Sequence, residues 1–185
     1  LLALRLSRDC FSGVSHFRGT PFYFSHCMKY FSIEECTRSD TAAAHGVSNL
    51  PTDEHRQHLV EMIEELLDPL REAWGAVCEE ESLGDPALRV SSGYRSDALN
   101  KLVGGSSTSA HSVGYAVDLI PANSNISRFR SFCASWLPTR AFDQLISEDE
   151  NSAGVPSWIH IGYKDRQGQQ RGQLLRMRGG KYLPW

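Results

Sequence analysis

The sequence predicts an α+β fold in which a small, mostly antiparallel sheet is flanked by helices. Two long segments carry apolar residues at helical spacing, whereas several shorter runs are rich in β-forming residues and are bounded by glycine, serine or proline. Helical and strand segments follow one another without a regular strand–helix–strand alternation, and the connections are short. This irregular order favours α+β architecture over a parallel α/β sheet.

Helical periodicity predicts the helices. The first long helix is predicted from Asp53 to about Trp74, where apolar residues recur on one face. Pro69 is expected to kink or split it, and Gly75 to end it. A second long helix is predicted over Ser127–Trp136, and a shorter one from Arg95 to about Val103.

Short runs of β-forming residues predict the sheet. The predicted strands are Ala87–Ser91, Val113–Ile120, Ala141–Ser147 (a strand or a strand edge), Trp158–Tyr163 and Gln173–Arg178. The stretch Lys164–Trp185 holds six Lys or Arg against one Asp. We expect it to form an edge strand protected by charge and a frayed tail, although such a basic stretch would also suit an anionic bacterial wall.

Length and composition indicate a single globular domain. The chain has 185 residues, of which 41% are hydrophobic and 22% charged. We assign residues 28–180 to the domain and 181–185 to a tail. Residues 1–27 have no periodic pattern and precede Met28, so we expect a disordered or spurious N-terminal extension.

Charge and hydropathy exclude two classes of partner. The formal net charge of −3 gives no case for binding nucleic acid. No apolar run approaches the ~20 residues that a membrane-spanning helix needs, which predicts no membrane insertion. The five cysteines are scattered without a Cys-x-x-Cys pair, so a cysteine zinc cluster is not expected, and Cys78 and Cys133 are predicted to be buried.

Two histidines and one aspartate form the candidate metal site. His111 lies in a Gly/Ser-rich loop, whereas Asp118 and His160 each interrupt an apolar run of β-forming residues. Burying such side chains without a cation or hydrogen-bonding partner would be costly. Hydrolytic zinc sites take three N or O ligands and leave a fourth position for water, so the pattern indicates a Zn²⁺ hydrolase.

Several motifs in order resemble the zinc D-alanyl-D-alanine carboxypeptidase family, which includes phage endolysin peptidases and shares its fold with the hedgehog signalling domain. They are Ser92-Gly-Tyr-Arg-Ser96, Ser109-x-His-x-x-Gly-x-Ala-x-Asp118, Phe142-Asp-Gln-Leu-Ile146 and Trp158-x-His160. The likeness runs from about Tyr30 to Arg178. It implies a hedgehog-like fold and the three zinc ligands His111, Asp118 and His160.

The resemblance also implies a glutamate as general base. In the dipeptidase branch this glutamate lies three residues before the second histidine, where the chain has Ser157. In the branch with the Phe-Asp-Gln-Leu-Ile element it follows that element, which points to Glu148, with Asp149 or Glu150 as substitutes. The alternative is that these acids form only a solvated turn.

Other residues are assigned roles in binding and support. Arg95 is the candidate for gripping a substrate carboxylate or carbonyl, the alternative being an arginine at the surface of a helix. Ser109 is expected either to bind substrate or to hold the loop. Gln144 is a candidate for contacting substrate, although with Asp143 it is more readily a support that orients the histidines. His55 and His58 are expected to be solvated.

The sequence therefore predicts a zinc metallopeptidase that hydrolyses peptidoglycan stem peptides, as a D-Ala-D-Ala carboxypeptidase or an endolysin-type endopeptidase. A non-catalytic, zinc-stabilised binding module is the alternative from another class. The partner is expected to be the peptide substrate alone, with the protein a monomer. Without a recognisable signal peptide, we expect synthesis in the cytoplasm and action at the bacterial cell wall.

Overall fold

The computed structural model of the protein describes residues 28–185. The predicted N-terminal extension, residues 1–27, lies outside the described residues and stays a prediction. Within the described part, no helix is both long and apolar enough to cross a membrane.

The described chain forms an α+β fold, as the sequence predicts. Its α-helices are α1 (Ile33–Thr37), α2 (Asp40–Ala44), α3 (Asp53–Met62), α4 (Asp68–Glu80), α5 (Asp97–Leu102) and α6 (Ile126–Trp136). The strands are β1 (Leu88–Ser92), β2 (Ala116–Pro121), β3 (Gln144–Glu148), β4 (Trp158–Gly162), β5 (Gln173–Arg178) and β6 (Lys181–Pro184).

The six strands form one sheet in the order β1-β2-β4-β3-β5-β6. Every neighbouring pair is antiparallel except β3 and β5, which run parallel. The parallel pair is possible because β4 runs back along one edge of β3 and the following loop, residues 163–172, carries the chain to the other edge, where β5 runs in the direction of β3. The mostly antiparallel sheet is therefore confirmed.

The first long helix runs further than predicted. It begins at Asp53, where the Thr52 side chain accepts a hydrogen bond from the His55 amide, but it continues through Gly75 to Glu80. The reason is tertiary packing, because Trp74 beside this glycine is fully buried and its ring meets that of Phe129 on α6 at 5.1 Å. The prediction that Gly75 ends the helix is wrong.

Pro69 is accommodated by a π-helical turn. This turn spans Ile63–Leu67, immediately before α4, and Pro69 then occupies the first turn of that helix. Proline lacks an amide hydrogen and its ring collides with the carbonyl four residues earlier in a regular helix. The wider π-helical turn accommodates the proline ring, so the helical segment continues from Asp53 to Glu80 without a break.

One face of the sheet packs on the helices to form the core. It contributes Val117, Leu119, Leu145, Ile159 and Ile161, which join buried residues of α3, α4 and α6 in one cluster. Because side chains alternate along a strand, the intervening residues of β2, β3 and β4 point to the opposite face. That opposite face carries the candidate site.

Two other boundaries differ from prediction. The segment Ala110–Val113 is a 3₁₀ turn ended by Gly114 at φ +81°, so β2 begins at Ala116 rather than at Val113. Residues 181–184, expected to be tail, pair with β5 as β6. The Gly179–Gly180 turn, with both φ values positive, closes this hairpin. It brings residues 181–184 beside β5, a pairing that the prediction of a tail did not include.

Candidate active site

Three structural elements bring the predicted metal ligands together. Asp118 on β2 lies opposite His160 on β4, so both side chains leave the same face of the sheet. His111 comes from the 3₁₀ turn that precedes β2. All three residues are buried.

The ligand atoms form a small triangle. His111 Nε2 lies 3.1 Å from His160 Nδ1, which lies 2.9 Å from Asp118 Oδ1. The third edge, from His111 Nε2 to Asp118 Oδ1, is 3.4 Å. Zinc bonds of about 2.0–2.1 Å place neighbouring atoms of a tetrahedron roughly 3.3–3.4 Å apart, so the triangle has the size of one tetrahedral face. Two imidazoles and a carboxylate thus fit zinc in both chemistry and size.

A backbone carbonyl orients His111. The Nδ1–H of this histidine donates to the Gly93 carbonyl oxygen at 2.7 Å, which leaves Nε2 with its lone pair towards the other ligands. Gly93 itself lies against α1, where an added Cβ would be 2.1 Å from the Cys36 carbonyl oxygen. Only glycine therefore lets the β1–α5 loop approach closely enough to supply this carbonyl.

The turn that carries His111 rests on α3. A Cβ on Gly114 would lie 2.6 Å from the His55 carbonyl oxygen, so glycine serves both the positive φ and the close approach. His58 Nδ1 donates to the Val113 carbonyl oxygen at 2.8 Å, and its ring stacks on Tyr115 at 4.1 Å. His55 and His58 are half-buried, so the prediction of solvated histidines is wrong.

Burial sets the charge state of the site. It lowers the pKa of His111, which keeps the imidazole neutral at neutral pH, the form that binds a metal. Burial alone would raise the pKa of Asp118, but the adjacent imidazoles outweigh it and hold that pKa below its ordinary value. The site therefore offers a neutral His111 imidazole beside an ionised Asp118 carboxylate.

Arg95 reaches the edge of this triangle. Its Nη2 lies 3.6 Å from Asp118 Oδ2, and the side chain is mostly buried. Its Nε–H is buried and donates to no acceptor within residues 28–185. A guanidinium with an unused donor beside the ligands suits a bound carboxylate or carbonyl. The alternative of a surface arginine does not match this placement.

Glu148 lies on the same face, one strand away. Ile146 on β3 is opposite His160, and Glu148 is opposite Trp158, so alternation puts the Glu148 side chain on the ligand face beside them. The residue is 7% exposed, and burial raises the pKa of its carboxyl. Within the described chain its carboxylate makes no hydrogen bond or ion pair, so it is free to exchange a proton.

The two neighbouring acids have other partners. The Glu150 side chain is 0% exposed and lies 3.2 Å from Arg130 and 3.1 Å from Arg178, while accepting from the Ser147 hydroxyl at 2.8 Å. Asp149 is exposed and accepts a hydrogen bond from the Ser157 hydroxyl at 3.2 Å. The acids are therefore not one solvated turn, and of the substitutes Glu150 is committed to arginines.

Asp143 and Gln144 do not orient the histidines. Asp143 is buried and pairs bidentately with Arg171, with 2.7 Å between its Oδ2 and Nη2. The Gln144 amide donates to the Gln173 side chain at 2.8 Å. The predicted support role belongs instead to the Gly93 carbonyl for His111. Whether Gln144 contacts substrate stays a prediction.

Ser109 shapes the loop through its backbone. Its amide donates to the Ser106 carbonyl at 3.1 Å, and its own carbonyl accepts from the Ser112 amide at 3.2 Å. The hydroxyl does not cap the 3₁₀ turn that follows. Of the two predicted roles, holding the loop has these contacts, and binding substrate stays a prediction.

A cleft of about 670 Å³ reaches the site at Asp118. Its lining includes Arg95 and Asp118 at the site, Trp158 on β4, and Arg38 and Arg89 further along β1 and α1. The cleft lies at the β1 edge of the sheet, between residues 89–95 and residues 38–41. No single motif indicated it, because its walls come from segments far apart in sequence.

The sequence profile of the Peptidase M15 family matches residues 29–161. The match covers well over half of the chain and contains all three candidate ligands and Glu148. Comparison with individually curated proteins finds no match. Members of this family are zinc-dependent metallopeptidases. The order of motifs, the fold and the His–Asp–His triangle agree with that match, and we conclude that the chain belongs to the Peptidase M15 family.

Proposed function

We propose that the protein is a zinc-dependent peptidase that hydrolyses peptidoglycan stem peptides, as a D-Ala-D-Ala carboxypeptidase or an endolysin-type endopeptidase, acting at the bacterial cell wall. The observation that carries the proposal is the buried triangle of His111, Asp118 and His160 with a buried Glu148 on the same face of the sheet, whose carboxylate has no ion-pair partner within residues 28–185. In a structural zinc site the protein supplies all four ligands, and a nearby carboxylate that can accept a proton is not needed.

The chain supplies the groups that peptide hydrolysis needs. His111, Asp118 and His160 would hold the zinc, which when bound acts as a Lewis acid on the scissile carbonyl and makes the attacking water more acidic. Glu148 accepts the proton of that water and passes it to the leaving amine. The raised pKa of its carboxyl suits both steps, because a group that is too acidic would not hold the proton.

Arg95 orients the substrate. Its unused Nε–H and its position in the cleft beside Asp118 support binding of a terminal carboxylate or a peptide carbonyl. The same guanidinium could offset the charge that develops on the carbonyl oxygen as it is attacked. Because the cleft continues towards Arg38 and Arg89, a substrate longer than a dipeptide would fit along it.

The proposal is tested by mass spectrometry of purified muropeptides after incubation with zinc-loaded protein. We expect loss of one alanine from pentapeptide stems, or cleavage of one internal bond, and the mass difference assigns the bond. Glu148→Gln should retain zinc and lose at least about 10²-fold in kcat, the contribution of a general base. Asp149→Asn is the matched control, because this neighbouring acid is exposed and bonds Ser157.

Two results would contradict the proposal. Full activity of Glu148→Gln would place the base elsewhere. One bound zinc without release of alanine or cleavage of any stem peptide by the wild-type protein would favour the binding module, which shares the metal site but not the chemistry.

A further inference from the structure

The C-terminal hairpin contributes a side chain to the open face of the sheet. β5 pairs in parallel with β3, with Ile146 beside Leu175, and β6 pairs with β5, with Met177 opposite Tyr182. Alternation along the strands therefore places Met177 and Tyr182 on the face that carries Glu148 and His160. This hairpin, residues 173–184, lies beyond the part of the chain that matches the family.

Tyr182 lies in the same row across the sheet as Glu148, because it pairs with Met177 and the Ser147–Arg176 register puts Met177 beside Glu148. Burial raises the pKa of its hydroxyl, Glu148 and Asp118 raise it further, and Arg95 acts in the opposite direction. The hydroxyl therefore stays protonated at neutral pH and is able to donate a hydrogen bond. Within residues 28–185 it bonds no protein group, and the side chain is 62% exposed.

The hairpin is held firmly enough to place this side chain. Glu150, which follows β3, pairs with Arg178 of β5 at 3.1 Å. Arg176 of the same strand donates through Nε to the Pro184 carbonyl at 3.1 Å. Arg130, the other close partner of Glu150, lies 4.7 Å from the centre of the Trp185 ring. One buried carboxylate thus ties β6 to the end of the strand that carries Glu148.

We propose that Tyr182 contacts the substrate, its hydroxyl donating a hydrogen bond to a carbonyl oxygen of the peptide held between Glu148 and Arg95. This inference rests on the proposed function and deepens it, since it assigns the wall of the site opposite β1. A phenol on a paired strand, on the sheet face that carries Glu148 and with no acceptor within residues 28–185, is suited to binding a peptide backbone.

The test compares Tyr182→Phe with the wild-type protein on a purified muropeptide stem. Removing the hydroxyl while keeping the ring should lower kcat/KM by up to about tenfold, as expected for one lost hydrogen bond to the substrate. Zinc content and thermal midpoint should not change, because the hydroxyl bonds no protein group. Lys181→Ala is the matched control, since its side chain leaves the opposite face of β6.

A binding measurement separates this inference from the activity. Titration of the same stem peptide into zinc-loaded Glu148→Gln should give a Kd about tenfold lower than for Glu148→Gln carrying Tyr182→Phe. The role of Tyr182 alone would be overturned if the wild type cleaves the stem but two comparisons show no effect. These are a kcat/KM of Tyr182→Phe within twofold of wild type, and a Kd of the double variant within twofold of that of Glu148→Gln. Absence of both cleavage by the wild type and binding by Glu148→Gln would overturn this inference together with the proposed function.

Discussion

Gly93 is the residue whose importance the sequence motif concealed. Its carbonyl fixes the tautomer and ring direction of His111, and its missing Cβ allows the loop to contact the Cys36 carbonyl. A glycine in a short motif is usually assigned to a turn. Here it is required for a metal ligand to point correctly, which makes it a positioning residue for the zinc site.

Replacing this glycine should disturb both folding and metal binding. In Gly93→Ala the new methyl carbon would lie 2.1 Å from a backbone carbonyl oxygen, so the loop must shift and the hydrogen bond to His111 weakens. We expect zinc affinity to fall about 10–100-fold, the usual effect of losing a partner behind a ligand. Competition with a chelator measures the affinity.

Gly75→Ala is the control for that substitution. This glycine lies inside α4, and its added Cβ would meet only the flexible end of the Arg71 side chain, at 3.1 Å. It should leave zinc affinity unchanged. Equal zinc affinity of Gly93→Ala and wild type would show that the carbonyl does not orient His111.

At the scale of elements, the cluster around Glu150 joins three parts of the fold. A carboxylate with no exposed surface is paired with Arg130 of α6 and with Arg178 of β5, and it follows β3 directly. Removing the charge would leave two partly buried guanidinium groups without their counter-charge. The acid that the sequence offered as a substitute base is thus a structural bridge to the last hairpin.

Glu150→Gln should therefore lower the free energy of unfolding, because Glu150 holds parts of the fold together. Breaking a buried pair costs about 3–5 kcal/mol, and the partial exposure of the arginines reduces our expectation to about 2–3 kcal/mol. Urea unfolding followed by circular dichroism measures the change. Asp149→Asn, at the adjacent exposed carboxylate, should change the free energy of unfolding by no more than about 0.5 kcal/mol. Equal effects of both variants would rule out the bridge.

At the scale of the whole molecule, the core protects the described cysteines. Cys36, Cys78 and Cys133 are free thiols and all are buried, which confirms the prediction for Cys78 and Cys133. Burial raises the pKa of the Cys36 thiol to about 12, so the reactive thiolate is scarce until the pH approaches that value. Their burial is a property of the assembled layers of helix and sheet.

Native protein should therefore resist alkylation at these three positions. With iodoacetamide at pH 8, peptide mapping should find Cys36 and Cys133 modified at least about 10²-fold more slowly than in urea-unfolded protein, in which a thiol titrates near its usual pKa of about 8.5. Rapid modification of Cys133 in native protein would mean that the core opens readily at α6.

Local patterns in the sequence predicted most elements and the ligands. Periodicity found α3 and α6, and short runs of β-forming residues found five of the six strands within a few residues, because both patterns are local properties of the chain. The three ligands were identifiable because a charged or polar residue inside an apolar strand must have a partner. That argument needs no knowledge of which strands are neighbours.

Pairing between distant segments decided the rest. Gly75 stays helical because Trp74 packs on Phe129 of α6, and β6 forms only because β5 lies beside it. The register of β3 against β4 puts Glu148 on the ligand face. The strand ends there, Asp149 has a positive φ, and Glu150 pairs with arginines of α6 and β5. The sequence by itself determined which residues could bind a metal, whereas the tertiary structure decided which carboxylate stands free beside them, because burial and charge pairing are set by neighbours remote along the chain.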